Sequence, residues 1–128
     1  MIYAKETGYW YDHVNGGADT QDKLFLLSLE EVIAYGGYSM FADYYDDNTD
    51  KTMAVPTQYA VAQGADQSDY FKLDDIGCCQ WWLRSPGIYT DSASIVDSDG
   101  ILYLCGVTYT GTAVRPAFWL DLESADIY

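Results

Sequence analysis

Apolar residues fall in short runs along this chain, and the spacing within those runs changes between its two halves. Lys23-Leu24-Phe25-Leu26-Leu27 is a continuous apolar run with the length of a buried strand. Ser28-Leu29-Glu30-Glu31 follows with the form of a capping box, in which Ser28 receives an amide of the first turn and Glu31 reaches back. Leu29, Val32 and Ile33 then share one face of a short helix, which Gly36-Gly37 end. A second short helix is predicted over residues 58–63, with Pro56 before it, Thr57 as N-cap and Gly64 as stop.

From residue 78 onward the pattern changes to strands. Residues 80–84 form one candidate, and residues 94–96 and 101–104 flank Asp97-Ser98-Asp99-Gly100. Asp-Gly between apolar runs is a strong hairpin signal. Residues 108–112 read as a turn with Gly111 near its tip. Residues 114–120 read as a final strand in which Pro116 marks an edge or a bulge. The remaining stretches, 38–55 and 64–77, read as loops, with Tyr70-Phe71 tucked inward in the second. The sum is an α+β class: two short helices and a small antiparallel sheet. Residues 1–21, with Gly16-Gly17 and no clear period, form an irregular segment before a single domain over residues 22–128.

Composition adds recognition to this picture. The chain carries 13 Tyr, 4 Trp and 4 Phe, and tyrosine offers large contact area at low entropic cost. The formal net charge of −14 repels a phosphate backbone, so nucleic acid is excluded as a partner and anionic membranes are disfavoured. No run approaches the roughly 20 apolar residues that span a bilayer, so membrane insertion is not expected. Met1 to Thr7 has no apolar core of a signal peptide. The location stays open between the cytoplasm and a place at the cell surface within a larger protein.

Dedicated chemistry is hard to assemble from these residues. Cys78 and Cys79 are adjacent and ill-suited to bridge each other. One of them bridges Cys105, or all three are buried thiols acting as small hydrophobes; the second is the expectation. No CxxC spacing suggests zinc. Asp46, Asn48 and Asp50 alternate as in a calcium loop, but Lys51 stands where the turn glycine belongs and Thr57 where the bidentate carboxylate belongs. His13 is the lone histidine, beside Asp12, and reads as a surface residue without a nucleophile. No pair among the 20 acidic residues can be nominated for glycoside hydrolysis. The expectation is therefore no enzyme, no metal and no cofactor.

Two segments frame the second half: Trp81-Trp82-Leu83-Arg84-Ser85-Pro86-Gly87 and Val114-Arg115-Pro116-Ala117-Phe118-Trp119-Leu120. They hold the only two arginines of the chain. In a chain this acidic, Arg84 and Arg115 are each expected to lock the sheet through a buried carboxylate or backbone carbonyls. Trp81 and Trp82 point to opposite faces of a strand, so one belongs to the core and the other is a candidate for stacking on a ligand.

These segments, with Asp22-Lys23-Leu24-Phe25-Leu26-Leu27-Ser28-Leu29-Glu30-Glu31-Val32, Pro56-Thr57-Gln58-Tyr59-Ala60, Gly64 and Asp99-Gly100, carry a resemblance. In that order they resemble an uncharacterised bacterial domain family, common in gut bacteria and often found in exported proteins. That family is similar in turn to the C-type-lectin-like fold of formylglycine-generating enzymes and of the variable proteins of diversity-generating retroelements. The resemblance implies a C-type-lectin-like domain lacking the usual N-terminal half, so that residues 1–21 supply a substitute strand or an exposed sheet edge invites self-association. It implies a recognition face between residues 87 and 112, with Tyr89, Asp91, Ser92, Ser94, Tyr103, Thr108 and Tyr109 displayed beside Trp82, and Trp81, Arg84 and Arg115 as frame.

The expected function is a non-catalytic binding or display module for a protein or carbohydrate ligand. The alternative is a structural or assembly module of a larger bacterial surface protein. A remoter one is a copper-dependent oxidase of the formylglycine-generating type, which needs two of the three cysteines at an open cleft.

Overall fold

A computed structural model describes residues 23–34, 38–39 and 52–120. Helix α1 (Leu29–Ala34) begins where the capping box places it. The Glu31 amide donates to Ser28 Oγ at 3.1 Å and the Ser28 amide donates to Glu31 Oε1 at 3.2 Å, so two donors of the helix start are satisfied reciprocally. Leu29 and Val32 are buried and Ile33 packs against them. The glycines expected to end α1 lie outside the described residues, as do residues 1–22, His13, the Asp46, Asn48 and Asp50 triplet, and most of the loop 38–55. That loop does contain a two-residue strand, β1 (Tyr38–Ser39).

Helix α2 (Gln58–Ala62) follows Thr57, whose Oγ1 accepts the Ala60 amide at 3.0 Å. Gly64 turns the chain away with φ at 105°, a region open to glycine. Between α2 and the main sheet runs a small hairpin, β2 (Lys72–Leu73) and β3 (Ile76–Gly77), where the sequence reads as loop. Its turn residues, Asp74 and Asp75, both have positive φ, 50° and 63°, as a tight two-residue turn requires. Asp-Asp is a weak signal for such a turn, because aspartate tolerates that backbone better than most residues but does not mark it as a glycine in the pair would. Tyr70 is 90% exposed rather than tucked inward. Ser68 Oγ accepts the amides of Tyr70 and Phe71, and this local turn keeps the segment on the surface.

The main sheet contains β4 (Trp81–Pro86), β5 (Ser92–Val96) and β6 (Ile101–Gly106) in the order β1-β6-β5-β4. β4, β5 and β6 are antiparallel, and β1 joins β6 in parallel. Asp97 to Gly100 closes the β5–β6 hairpin, with Gly100 at φ 84°. Asp99 Oδ1 accepts the Ile101 amide at 2.9 Å. The alternation of β4 puts Trp81, Leu83 and Ser85 on the buried side and Trp82, Arg84 and Pro86 on the other, as the period of a strand dictates. Trp81, Leu83, Val96, Leu102, Leu29 and Val32 form one core between α1 and the sheet.

Two expected strands are absent. The run 23–27 pairs with residues 114–120 through a single isolated bridge, in which Phe25 and Ala117 exchange amide hydrogen bonds of 3.0 and 2.7 Å, and the Phe25 ring centroid lies 6.3 Å from that of Trp119. Val114, Phe118, Trp119 and Leu120 are exposed. The edge of β4 explains this outcome. Its Trp82 amide donates to Ala113 O and its Arg84 amide donates to Leu27 O, both at 3.0 Å. Two irregular segments thus share one edge, leaving neither a continuous ladder. The β4 edge is consequently covered at Trp82 and Arg84, while residues 1–21, expected to supply a substitute strand, lie outside the described residues.

Candidate functional site

The sequence 81–87 builds one end of the sheet residue by residue. Trp81 is 2% exposed and its Nε1 donates to Thr52 O at 3.0 Å. Ser85 Oγ accepts the Leu29 amide at 2.9 Å. Pro86 O accepts from Ser94 Oγ at 2.9 Å. Gly87 lies against Ser92 so closely that a Cβ there would overlap the Ser92 hydroxyl. The Arg84 guanidinium donates to Leu26 O at 2.9 Å, forms an ion pair with Glu31 and lies 5.9 Å from the Phe25 ring centroid. It joins β4 to α1 and to the segment before α1.

Beyond Gly87 two turns lie side by side, joined where the Val107 amide donates to Asp91 O at 2.9 Å. They carry Tyr89, Asp91, Thr108 and Tyr109, all exposed. Ser92 and Ser94 do not belong with them. Ser92 is 7% exposed and Ser94 0%, because both point to the core side of β5. Ser92 Oγ accepts the Tyr89 amide and donates to Tyr89 O, so it shapes the turn from within. Ser94 is spent on Pro86 O. Both are corrected from display residues to internal ones.

Tyr103 and Trp82 occupy the opposite face of the sheet. The register sets Trp82 beside Ile95 and Ile95 beside Tyr103, giving an aromatic-aliphatic-aromatic row across three strands. Tyr103 is 40% exposed and Ile95 only 1%. The structure thus divides the eight expected contact residues into an exposed group at the sheet end, a pair across the sheet face, and two buried serines.

Tyr109 has a partner the sequence did not suggest. Its hydroxyl donates to Asp66 Oδ2, and the Asp66 amide donates to Gly111 O at 2.9 Å. This bond to the Asp66 carboxylate is the main reason the Tyr109 phenol is pushed above its ordinary value, with desolvation adding to it. Asp66 lies 43 residues away, so no local spacing could have found it.

Arg115 departs from its expected role. It is exposed, and among the described residues no carboxylate forms an ion pair with it. Its guanidinium instead stacks 4.8 Å from the centroid of the Trp81 ring, a cation–π contact. Two cavities flank this stack, of about 220 and 570 Å³. The larger is lined by Ala54, Pro56, Ala60, Ile76, Cys79 and Val114 among others, with Arg115 and Asp74 as its charged groups.

Cys78 and Cys79 are buried free thiols, and Cys105 is a half-buried free thiol on β6. Desolvation pushes both buried thiols up. For Cys79 the neighbouring Cys78 adds to the rise, and Arg115 partly opposes it. Neutral, buried thiols are weak nucleophiles and weak metal ligands. Among the described residues no group of three or more His, Cys, Asp or Glu side chains is placed to hold a metal ion. No described helix is long and apolar enough to cross a membrane.

No curated protein and no solved structure matches the chain. One family does, over residues 2–122, a span that takes in the sheet, both helices, the twin turns and the Arg115 groove. The chain belongs to that family, described as a domain of unknown function (DUF6273).

Proposed function

We propose that this domain is a non-catalytic binding module whose recognition surface is the sheet end formed by the turns after β4 and β6. The observation that carries this reading is the pairing of exposed rings with fixed backbone. Tyr89, Val107 and Tyr109 are 65%, 54% and 47% exposed, while Ser92, the Val107 amide and Asp66 hold the turns that bear them. Rigid aromatic anchors with Thr and Asp beside them suit recognition of a protein or carbohydrate, because little entropy is lost on binding.

The finer fold reading is C-type-lectin-like. The pairing of Phe25 with Ala117 supports it, since that fold brings an early and a late segment of the chain together. A diversified face, as in retroelement variable proteins, is the further step of the same proposal. A reverse transcriptase gene and a near-copy of the 3′ coding region beside this gene are its signature.

Binding is tested on a glycan array and with a displayed random-peptide library. Hits should weaken at least tenfold with Tyr89→Ala and with Thr108→Ala, while the melting temperature stays within a few degrees. Hits indifferent to both changes would place recognition elsewhere.

A second reading, an assembly module of a larger surface protein, is favoured by the exposed run Phe118, Trp119 and Leu120, 62%, 74% and 53% exposed. Sedimentation velocity distinguishes it: concentration-dependent association abolished by Trp119→Ser supports assembly, and a monomer at all concentrations removes it.

A further inference from the structure

We infer that the groove beside Arg115 binds a small carboxylic acid with an apolar body, at a site separate from the twin turns. The groove lies by Trp81 at the start of β4, whereas the turns lie beyond its other end. Six residues of strand, roughly 20 Å, separate Trp81 from the turn that carries Tyr89, while the second turn reaches back toward the groove side, where the Tyr109 hydroxyl meets Asp66 and the Asp66 amide meets Gly111.

Three observations lead to this ligand class. First, the walls are apolar: Ala54, Pro56, Ala60, Ile76 and Val114 contribute to them, and Cys79 adds a thiol that desolvation keeps neutral. A volume of about 570 Å³ lies within the usual range for small-molecule sites. Second, the charge at the groove is the uncommon one for this chain. Only 6 residues are basic against 20 acidic, yet Arg115 has no carboxylate partner among the described residues. Arg84, by contrast, is fully employed by Glu31 and Leu26. Third, Arg115 is held in place. Its guanidinium carbon lies over the Trp81 ring, 4.8 Å from the centroid, and among the described residues no side-chain hydrogen bond takes up its N–H donors, which offer a fork to a planar acceptor. A carboxylate matches that fork in geometry and charge.

Asp74, on the rim, sets the selectivity. It repels a second anionic group, so a monocarboxylate with an uncharged tail fits better than a dicarboxylate. A phosphate ester, bulkier in charge, is disfavoured for the same reason.

The probe is octanoate, compared with octanamide, octanedioate and a short peptide ending in leucine, each titrated by calorimetry and ligand-observed NMR. Octanoate should saturate the protein with half-occupancy at about 1 mM or below, with octanamide and octanedioate at least tenfold weaker. Arg115→Gln should weaken octanoate at least tenfold and Arg115→Lys less. Because Arg115→Gln also removes the stack on Trp81, Ala60→Phe serves as a second arm. It fills the groove from α2 while leaving the Arg115 side chain itself unaltered, and should abolish binding in a protein that melts normally. Equal binding of octanoate and octanamide would overturn the proposal. So would binding that survives Ala60→Phe, binding of the peptide in preference to octanoate, or no saturation by about 10 mM. Tyr89→Ala should leave octanoate binding unchanged, so failure here and failure of the turn-borne recognition surface are distinguishable.

Discussion

The hydroxyl of Ser85 on β4 accepts the backbone amide of Leu29, the first residue of α1, at 2.9 Å and across 56 residues of sequence. A short helix leaves its first amides without partners inside the helix, and here one is met by Ser28 and another by the sheet. Ser85→Ala strands a buried amide and should cost about 1–3 kcal/mol. Urea unfolding measures it, and a loss below about 0.5 kcal/mol would mean that water or a shifted neighbour replaces the hydroxyl.

Gly87 and Tyr89 are two residues apart and should respond in opposite ways. A methyl group at Gly87 meets the Ser92 hydroxyl and Cβ, so Gly87→Ala should destabilise by about 1–3 kcal/mol through overpacking. Tyr89 is 65% exposed, and Tyr89→Ala should stay within about 0.5 kcal/mol of the parent. The reverse order would show that the turn is supported by the ring rather than by the serine.

Asp75 holds φ at 63° in the β2–β3 turn. An L-residue there costs about 1–2 kcal/mol, while glycine costs about 0.5–1 kcal/mol in added freedom of the unfolded chain. The first effect is the larger, so Asp75→Gly should raise stability by about 0.5–1 kcal/mol. Thermal unfolding checks the sign directly; a lower melting temperature would contradict the strain argument.

Asp99 provides a pH-dependent test. Burial pushes its carboxyl up, with the neighbouring Asp97 adding to the rise and the bond from the Ile101 amide opposing it. A raised folded value means that its favourable contribution is complete in acid and is lost as pH rises through that value. Asp99→Asn keeps an acceptor for the Ile101 amide and cannot ionise. It should therefore gain stability over the parent at about pH 7 and lose that advantage near pH 3.5. Parallel urea titrations at the two pH values decide it, and an advantage that is constant with pH would rule out ionisation as the cause.

Features that were legible in the sequence are those whose partners lie within a few residues. The Ser28–Glu31 box, the Thr57 cap, the Asp99-Gly100 hairpin and the alternation of Trp81 with Trp82 are all set by local geometry. The two arginines show where that stops. Each stands near a proline in an apolar segment, yet Arg84 meets Glu31 on α1 and Arg115, among the described residues, meets the ring of Trp81. Which partner an arginine finds depends on the folded arrangement rather than its neighbours. The runs 23–27 and 114–120 misled for a related reason. They have the composition of strands, but the edge of β4 beside them is taken by Ala113 at one point and by Leu27 at another, which leaves neither run a continuous ladder. Ser92 and Ser94 resemble display residues by type, and only the register of β5 shows that they face inward. Asp66, the anchor of Tyr109, and the groove beside Arg115 depend on contacts across tens of residues and have no local signature.

The antiparallel bridge between Phe25 and Ala117 has a mechanical consequence. In an antiparallel pair the chain leaves Phe25 toward Leu24 and leaves Ala117 toward Phe118 at the same end. Tension applied across residues 23 and 120 therefore peels the two hydrogen bonds in sequence instead of shearing them together. As a link in a chain under load, this domain would yield first at that latch, releasing the flanking segments before the sheet behind them feels the pull.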